Sequence, residues 1–311
     1  MSETGASAPV RGADLLRPFR LERSALRGRL VRLGPAVDAV LGRHAYPDAV
    51  SNQLGQLLVL AATLAGALKF EGTFSLQIRS DGPISLMLAD CTNDGALRGY
   101  ARFDGAALAS AEPTVPGLFG QGRLALTVQQ AETASSYQGV VELAGLSLTD
   151  CLHSYFRQSE QLQTGLRIGV ERVGTNGAAR WRAGAIMVQR MPPGAGSREL
   201  PATSDEDWRR TILLLSTATT AELTDPALPL DNLLFRLFHE EGVRVFQPLP
   251  LSFGCRCSRP RVETMLRTFG PDDIDEMRLD DGAILVTCEF CSAEYRFEAV
   301  EVDRLLAAKL H

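Results

Sequence analysis

The chain has 311 residues, 45% of them hydrophobic and 22% charged, with a formal net charge of −5. That is the balance of an ordinary globular protein, long enough for two domains and a sizeable core. The acidic balance, with an isoelectric point near 5.5, argues against a nucleic-acid binder, which needs a basic face. The opening MSETGASAPVRGADLL lacks the basic flank and apolar stretch of a secretory signal. The most apolar run, Leu57 to Leu68, is twelve residues and too short to span a bilayer. These features point to a cytoplasmic protein. Thiols are kept reduced there, so the six cysteines call for metal binding before structural disulfides.

In chain order, residues Asp48 to Lys69 predict a helix rich in Leu and Ala, with Gly55 and Gly66 marking close packing. After Gly72 the period changes: Phe74, Leu76 and Ile78 alternate with polar residues, as in a half-buried strand. Asp81-Gly82-Pro83 reads as a turn and Ile84 to Leu88 as the next strand. Further strands are expected at Gly122 to Gln129, Gly139 to Leu143 and Arg182 to Gln189, with a helix from Leu148 to Gln161. This mixture predicts an α+β fold, with an N-terminal domain of mixed helices and antiparallel-rich sheets over residues 1–192.

Pro192-Pro193-Gly194-Ala195-Gly196-Ser197 has the composition of a linker. Ser204 then reads as an N-cap, followed by Asp205, Glu206 and Asp207 in the first turn, where carboxylates favour the helix dipole. That helix is expected to run to about Glu222 and carries Trp208, Ile212 and Leu215. A second, from Leu230 to Glu241, carries Leu233, Leu234, Leu237 and Phe238. Residues 193–250 are thus a helical linker region, very apolar for elements lying between domains. Either the helices pack on a neighbouring domain, or they form a surface covered in one state and bared in another.

The last segment, residues 251–311, holds the densest chemistry: Cys255-Arg-Cys257 and Cys288-Glu-Phe-Cys291, separated by thirty residues. Four soft thiolates can close a tetrahedral shell around Zn²⁺, and each pair can also close into a disulfide. Ser258 can cap a helix running to about Phe269. Asp272 to Met277 is a further turn of helix, Ala283 to Thr287 a strand, Cys288 to Cys291 a hairpin bend and Tyr295 to Glu298 the returning strand. A C-terminal helix is expected from Glu301 to Leu310. So small a module needs a metal or disulfides to stay folded. Four thiolates on one Zn²⁺ leave a charge of about −2, which Arg256, Arg259, Arg261 and Arg267 lie near enough in sequence to offset.

The spacing leaves a purely structural zinc ribbon open. A catalytic zinc is disfavoured because four thiolates leave no open position. A thioredoxin-like pair is disfavoured because no parallel βαβ unit precedes it. His239-Glu240-Glu241 lacks the second histidine of a metalloprotease helix, since position 243 is Val, and reads as a solvated helix end. Cys91 and Cys151 are isolated and read as small buried residues, and His44, His153 and His311 have no ligand-like spacing.

At these residues the chain resembles the redox-regulated 33 kDa chaperonin family of bacterial heat-shock holdases. The resemblance rests on Leu234-Phe-Arg-Leu-Phe-His239-Glu240-Glu241, Phe253-Gly-Cys255-Arg-Cys257-Ser258 and Val286-Thr-Cys288-Glu-Phe-Cys291. In the N-terminal part it rests on Leu97-Arg-Gly-Tyr-Ala101, Tyr137-Gln-Gly-Val-Val141, Tyr155-Phe-Arg-Gln-Ser-Glu-Gln161 and Ala183-Gly-Ala-Ile-Met187, with Ala185 a mild departure where a second Gly is expected. The resemblance implies a chaperone with no catalytic residues. When reduced it is inactive, with one Zn²⁺ on Cys255, Cys257, Cys288 and Cys291. On oxidation, disulfides close as Cys255–Cys257 and Cys288–Cys291, and zinc is released. Unfolding client proteins then bind the bared apolar helices, with Trp208, Ile212, Leu215, Leu233, Leu234, Leu237 and Phe238 as candidates, and the active form is a homodimer. No nucleic acid or membrane is implied. The rival readings are a constitutive zinc-ribbon binding module and a thiol oxidoreductase.

Overall fold

The structure is a computed structural model that describes residues 13–24, 26–131, 136–174, 179–190 and 203–307. The expected linker at Pro192 to Ser197, His311 and the last residues of the C-terminal helix lie outside them. The chain forms two compact units, residues 1–253 and residues 254–311.

The first unit opens with a hairpin, β1 (Leu15–Leu21) and β2 (Leu26–Leu33), where no element was expected. A short helix α1 (Pro35–Leu41) leads into α2 (Asp48–Ala65). Then come β3 (Gly72–Ser80), β4 (Ile84–Thr92), β5 (Ala96–Phe103), the short helices α3 (Gly105–Leu108) and α4 (Val115–Phe119), β6 (Gly122–Gln130) and β7 (Ser136–Glu142). Helix α5 (Leu148–Tyr155) runs into a π-type turn at Phe156–Glu160, so the helix expected to Gln161 changes its hydrogen bonding at the end. Strands β8 (Thr164–Val173) and β9 (Arg180–Arg190) complete the main sheets.

One sheet has the strand order β10-β1-β2-β9-β8 and the other β12-β5-β4-β3-β6-β7, where β10 is Val243–Val245 and β12 is Ser252–Phe253. Between these two lies β11 (Leu249–Pro250), which also pairs with β1. Neighbours are antiparallel except β12 beside β5. The expected α+β class with antiparallel-rich sheets is what the chain forms. Helix α2 packs between the sheets, and Leu54, Leu57, Leu58 and Leu60 share one core with Val31 and Leu33 of the first sheet and Phe74 and Leu76 of the second. Both glycines expected to mark close packing do so. A Cβ on Gly66 would lie 2.2 Å from Leu16 Cδ1, and one on Gly55 would lie 3.0 Å from Val170.

The apolar helices cover the opposite face of the first sheet. They are α6 (Asp205–Ser216), α7 (Thr220–Thr224) and α8 (Leu230–Phe238). The first expected helix is therefore two: it stops at Thr217, and Thr219 starts a new one through a capping box with Glu222. The second ends at Phe238 in a single 3₁₀ turn, His239–Glu241. Leu215, Leu223, Leu233, Leu234, Leu237 and Phe238 form a second core with Phe19, Leu21, Leu26, Leu30, Ile186 and Val188. Alternation in β2 explains the two-sided burial: Leu26 and Leu30 face this layer while Val31 and Leu33 face α2. At two points the helices rest directly on glycines of the sheet. A Cβ on Gly165 would lie 2.4 Å from Ile212 Cδ1, and one on Gly184 would lie 2.5 Å from the Leu223 carbonyl oxygen.

Two ionic clips pin the layer. Arg32 of β2 is 1% exposed. Its guanidinium donates to the carbonyl oxygens of Leu223 (2.9 Å), Leu228 (2.6 Å) and Glu222 (3.0 Å). These are carbonyls at and just beyond the end of α7, which have no helical partner of their own. Arg210 of α6 forks onto the buried Glu241, with contacts of 2.6 and 3.2 Å. That places Glu241 in a buried ion pair, while its neighbour His239 is half-exposed at a helix end as expected.

Candidate metal centre

The second unit consists of α9 (Arg259–Leu266), α10 (Pro271–Glu276), the hairpin β13 (Ile284–Thr287) and β14 (Glu294–Phe297), and α11 (Ala299–Ala307). Its core is small: Val262, Leu266, Ile274, Ile284, Phe297, Val302 and Leu305. Each cysteine pair sits at an element boundary. Cys255 and Cys257 precede the Ser258 N-cap, whose Oγ accepts from the Arg261 N–H. Cys288 and Cys291 occupy the turn between β13 and β14, where the Cys288 N–H donates to the Ala293 carbonyl and the Ser292 N–H to the Cys288 carbonyl. Ser292 holds a left-handed backbone, φ 57°, which turns the chain back toward β14.

All four sulfurs lie within 4.8 Å of one another. Cys255 Sγ is 3.7 Å from Cys288 Sγ, and Cys257 Sγ is 3.3 Å from Cys291 Sγ. A tetrahedral Zn²⁺ with bonds of about 2.3 Å sets its sulfurs about 3.8 Å apart. The donor set and the spacing fit such an ion, with four thiolates and no coordination position left for substrate. The sulfurs that approach most closely belong to different pairs, so one ion here would tie the loop before α9 to the β13–β14 turn.

The cluster divides its protons unevenly. Burial alone would raise the Cys255 thiol, but the Cys257 N–H and the neighbouring sulfurs hold it down to about 7. Burial pushes the Cys291 thiol up to about 12, and Cys288 is also raised. Four sulfurs this close cannot all ionise unless a cation sits among them. A phenol reaches the cluster: Tyr295 Oη lies 3.1 Å from Cys257 Sγ. Of the four arginines expected to offset the charge, Arg259 is committed to Glu301 and the Arg296 carbonyl, and Arg267 to Glu263. Arg261 donates to the Arg256 carbonyl. These three guanidiniums are engaged with groups other than the sulfurs.

Cys91 and Cys151 are buried in the first unit, far along the chain from the cluster, as expected for small apolar residues. Leu215, Leu233, Leu234, Leu237 and Phe238 are buried, while Trp208 and Ile212 are partly buried against the same core. The outward positions of these helices carry Leu213 and Phe235, 68% and 64% exposed. The Tyr137 and Tyr155 segments meet at the π-type turn, where both phenols donate to Glu160 Oε1. From the sequence, Arg32 carries no expected role, and Tyr295 is placed only as the start of a strand. Arg32 gave no signal, because a charged residue in a strand ordinarily faces solvent. Tyr295 was readable from hairpin register, since it lies two residues from the buried Phe297 and shares its face.

The fold and the site define a protein with a larger α+β body and a small module that carries four cysteines placed to hold a metal ion. The family model described as "Hsp33 protein" matches residues 14–298, and the chain belongs to that family. A 33 kDa chaperonin of Caulobacter vibrioides is 39% identical over 290 residues, covering 92% of this chain and 95% of its own. One from Nitrosococcus oceani is 38% identical over 297 residues, covering 96% of each. The crystal structure of a 33 kDa chaperonin (heat shock protein 33 homolog) from Thermotoga maritima superposes with a TM-score of 0.78. It covers 96% of this chain and 99% of its own at 23% identity, a likeness of fold. Membership of this family supports a chaperone function.

Proposed function

We propose that this chain is a redox-regulated holdase, a cytoplasmic chaperone that is silent when reduced and binds unfolding proteins after oxidation. The observation that carries this reading is the clustering of Cys255, Cys257, Cys288 and Cys291 within 4.8 Å in a module with so small a core. Bound there, Zn²⁺ supplies a cross-link that the core alone does not, and its binding energy is folding energy for the module. Peroxide or hypochlorite takes two electrons from each cysteine pair. With peroxide, two thiols give one S–S bond and the peroxide leaves as two waters.

The pairs close as Cys255–Cys257 and Cys288–Cys291. The sulfurs now nearest one another belong to different pairs, yet once the module loosens sequence neighbours meet more often than partners more than thirty residues apart. Each closed loop is tiny and restores none of the constraint between the two halves. The segment leading to Cys255 is stitched to both sheets, by β10 and β11 on β1 and by β12 on β5. Loss of the module frees that segment, and the α6–α8 layer loosens. Trp208, Ile212, Leu215, Leu233, Leu234, Leu237 and Phe238, with the sheet face beneath them, then offer apolar surface to clients, and two activated chains pair as a homodimer.

The test is client aggregation followed by light scattering, with peptide mapping of the disulfides in the same samples. Peroxide at raised temperature should switch suppression on, with both disulfides within the pairs. Equal suppression by reduced, zinc-loaded protein would defeat the proposal, and a Cys257–Cys291 bond in the active form would defeat the pairing.

A further inference from the structure

We infer that Tyr295 is a positioning residue of the metal centre, whose phenol holds the Cys257 sulfur and makes it the least nucleophilic member of the more exposed cysteine pair. This rests on the metal-site reading above and concerns how that site is tuned. Three observations carry it. Tyr295 Oη lies 3.1 Å from Cys257 Sγ, and an O–H can only donate to a thiolate. Tyr295 stands on β14 opposite Val286 of β13, and its ring packs against the module core, so the phenol is aimed by the hairpin and not by a flexible side chain. Cys255, by contrast, is served by the Cys257 backbone N–H and by neighbouring sulfurs.

The consequence is chemical. A hydrogen bond from a phenol draws electron density from the sulfur and opposes its attack on an electrophile. It also fixes the direction of the sulfur lone pairs, which is how outer partners orient metal ligands. Tyr295 reaches from the strand after Cys291 to a sulfur of the other pair, so it links the two halves of the site in addition to any ion. In alkylation, the Cys257 sulfur forms a bond to the carbon of iodoacetamide and iodide leaves. In the intact protein the phenol must be given up before that sulfur turns outward.

The experiment compares full-length wild type with Tyr295→Phe, reduced, with metal content measured in each. The readout is the alkylation rate of Cys257 relative to Cys255 in the same molecules, resolved by peptide mass. Phe keeps the ring and its packing, and the ratio is expected to rise about tenfold, the lower range for removing an outer-shell partner. Competition with a chelator should show zinc affinity falling by about the same factor. A control, Ile274→Ala, loosens the module core from α10, outside the hairpin that carries the phenol. It should raise both rates together and leave the ratio unchanged. An unchanged ratio in Tyr295→Phe, or a rise matched by Ile274→Ala, overturns the inference. If wild type carries no metal, the metal reading fails on that count alone, while the alkylation ratio still decides the role of Tyr295.

Discussion

Arg32 shows how much one side chain can hold. Its guanidinium satisfies carbonyls of Glu222, Leu223 and Leu228, and burial draws its pKa down to about 10, still well above neutrality. Removing a buried charge that is fully hydrogen-bonded leaves its acceptors dry, which costs more than the bonds contributed. Arg32→Met should lower stability by about 3 kcal/mol, read as a fall in the urea midpoint. Hydrogen exchange should show α7 and α8 losing protection before the β3–β6 ladder does. Equal loss everywhere would mean that Arg32 supports the sheet and not the layer. The four cysteines were legible as a set because thiolate chemistry depends on spacing along the chain. Arg32 was not, because its partners lie about 190 residues away, and for Tyr295 the hairpin register shows only the face it shares with Phe297, not its partner Cys257 38 residues away.

At the scale of elements, the α6–α8 layer is capped by carboxylates that titrate. The Asp207 carboxyl is held below its usual 3.8 by the Ser204 hydroxyl and backbone, then by Arg210. The Glu222 carboxyl is held below 4.5 by the Thr219 backbone, then by Arg236. Both are depressed on folding, so their contribution is present above the ordinary carboxylate range and is lost as pH falls through the lowered values. Amides of α6 and α7 should therefore exchange faster relative to those of α2 at pH 3 than at pH 6, after correction for intrinsic rates. An unchanged ratio would remove these caps from the account. The sequence predicted α2, β3, β4 and β6 because each shows a clear period. It gave no strand at β1, β2, β5 or β8, where Pro18, Gly28, Gly99, Gly165 and Gly169 interrupt the apolar alternation. Several of those glycines are there for tertiary reasons: a Cβ on Gly28 would lie 2.0 Å from Phe19 Cζ, and one on Gly169 would meet Thr220. The break at Thr217 was hidden because Glu222 suits a helix interior as well as it suits the capping box it forms with Thr219.

The whole molecule joins units of unequal independence. Residues 1–253 hold two large cores on either side of one sheet, while residues 254–311 depend on a handful of apolar side chains and a sulfur cluster. Chelation of reduced protein should therefore make residues 254–311 protease-sensitive and leave the body intact, whereas a module that resists proteolysis without metal would show that its core suffices. On the proposed reading, loss of the zinc held by the four cysteines activates the chaperone. Released zinc and suppression of client aggregation, followed together in one peroxide time course at raised temperature, decide this. About one zinc per chain should be released, with chaperone activity appearing as the metal leaves and not before. Full activity in protein that still retains its zinc would contradict it.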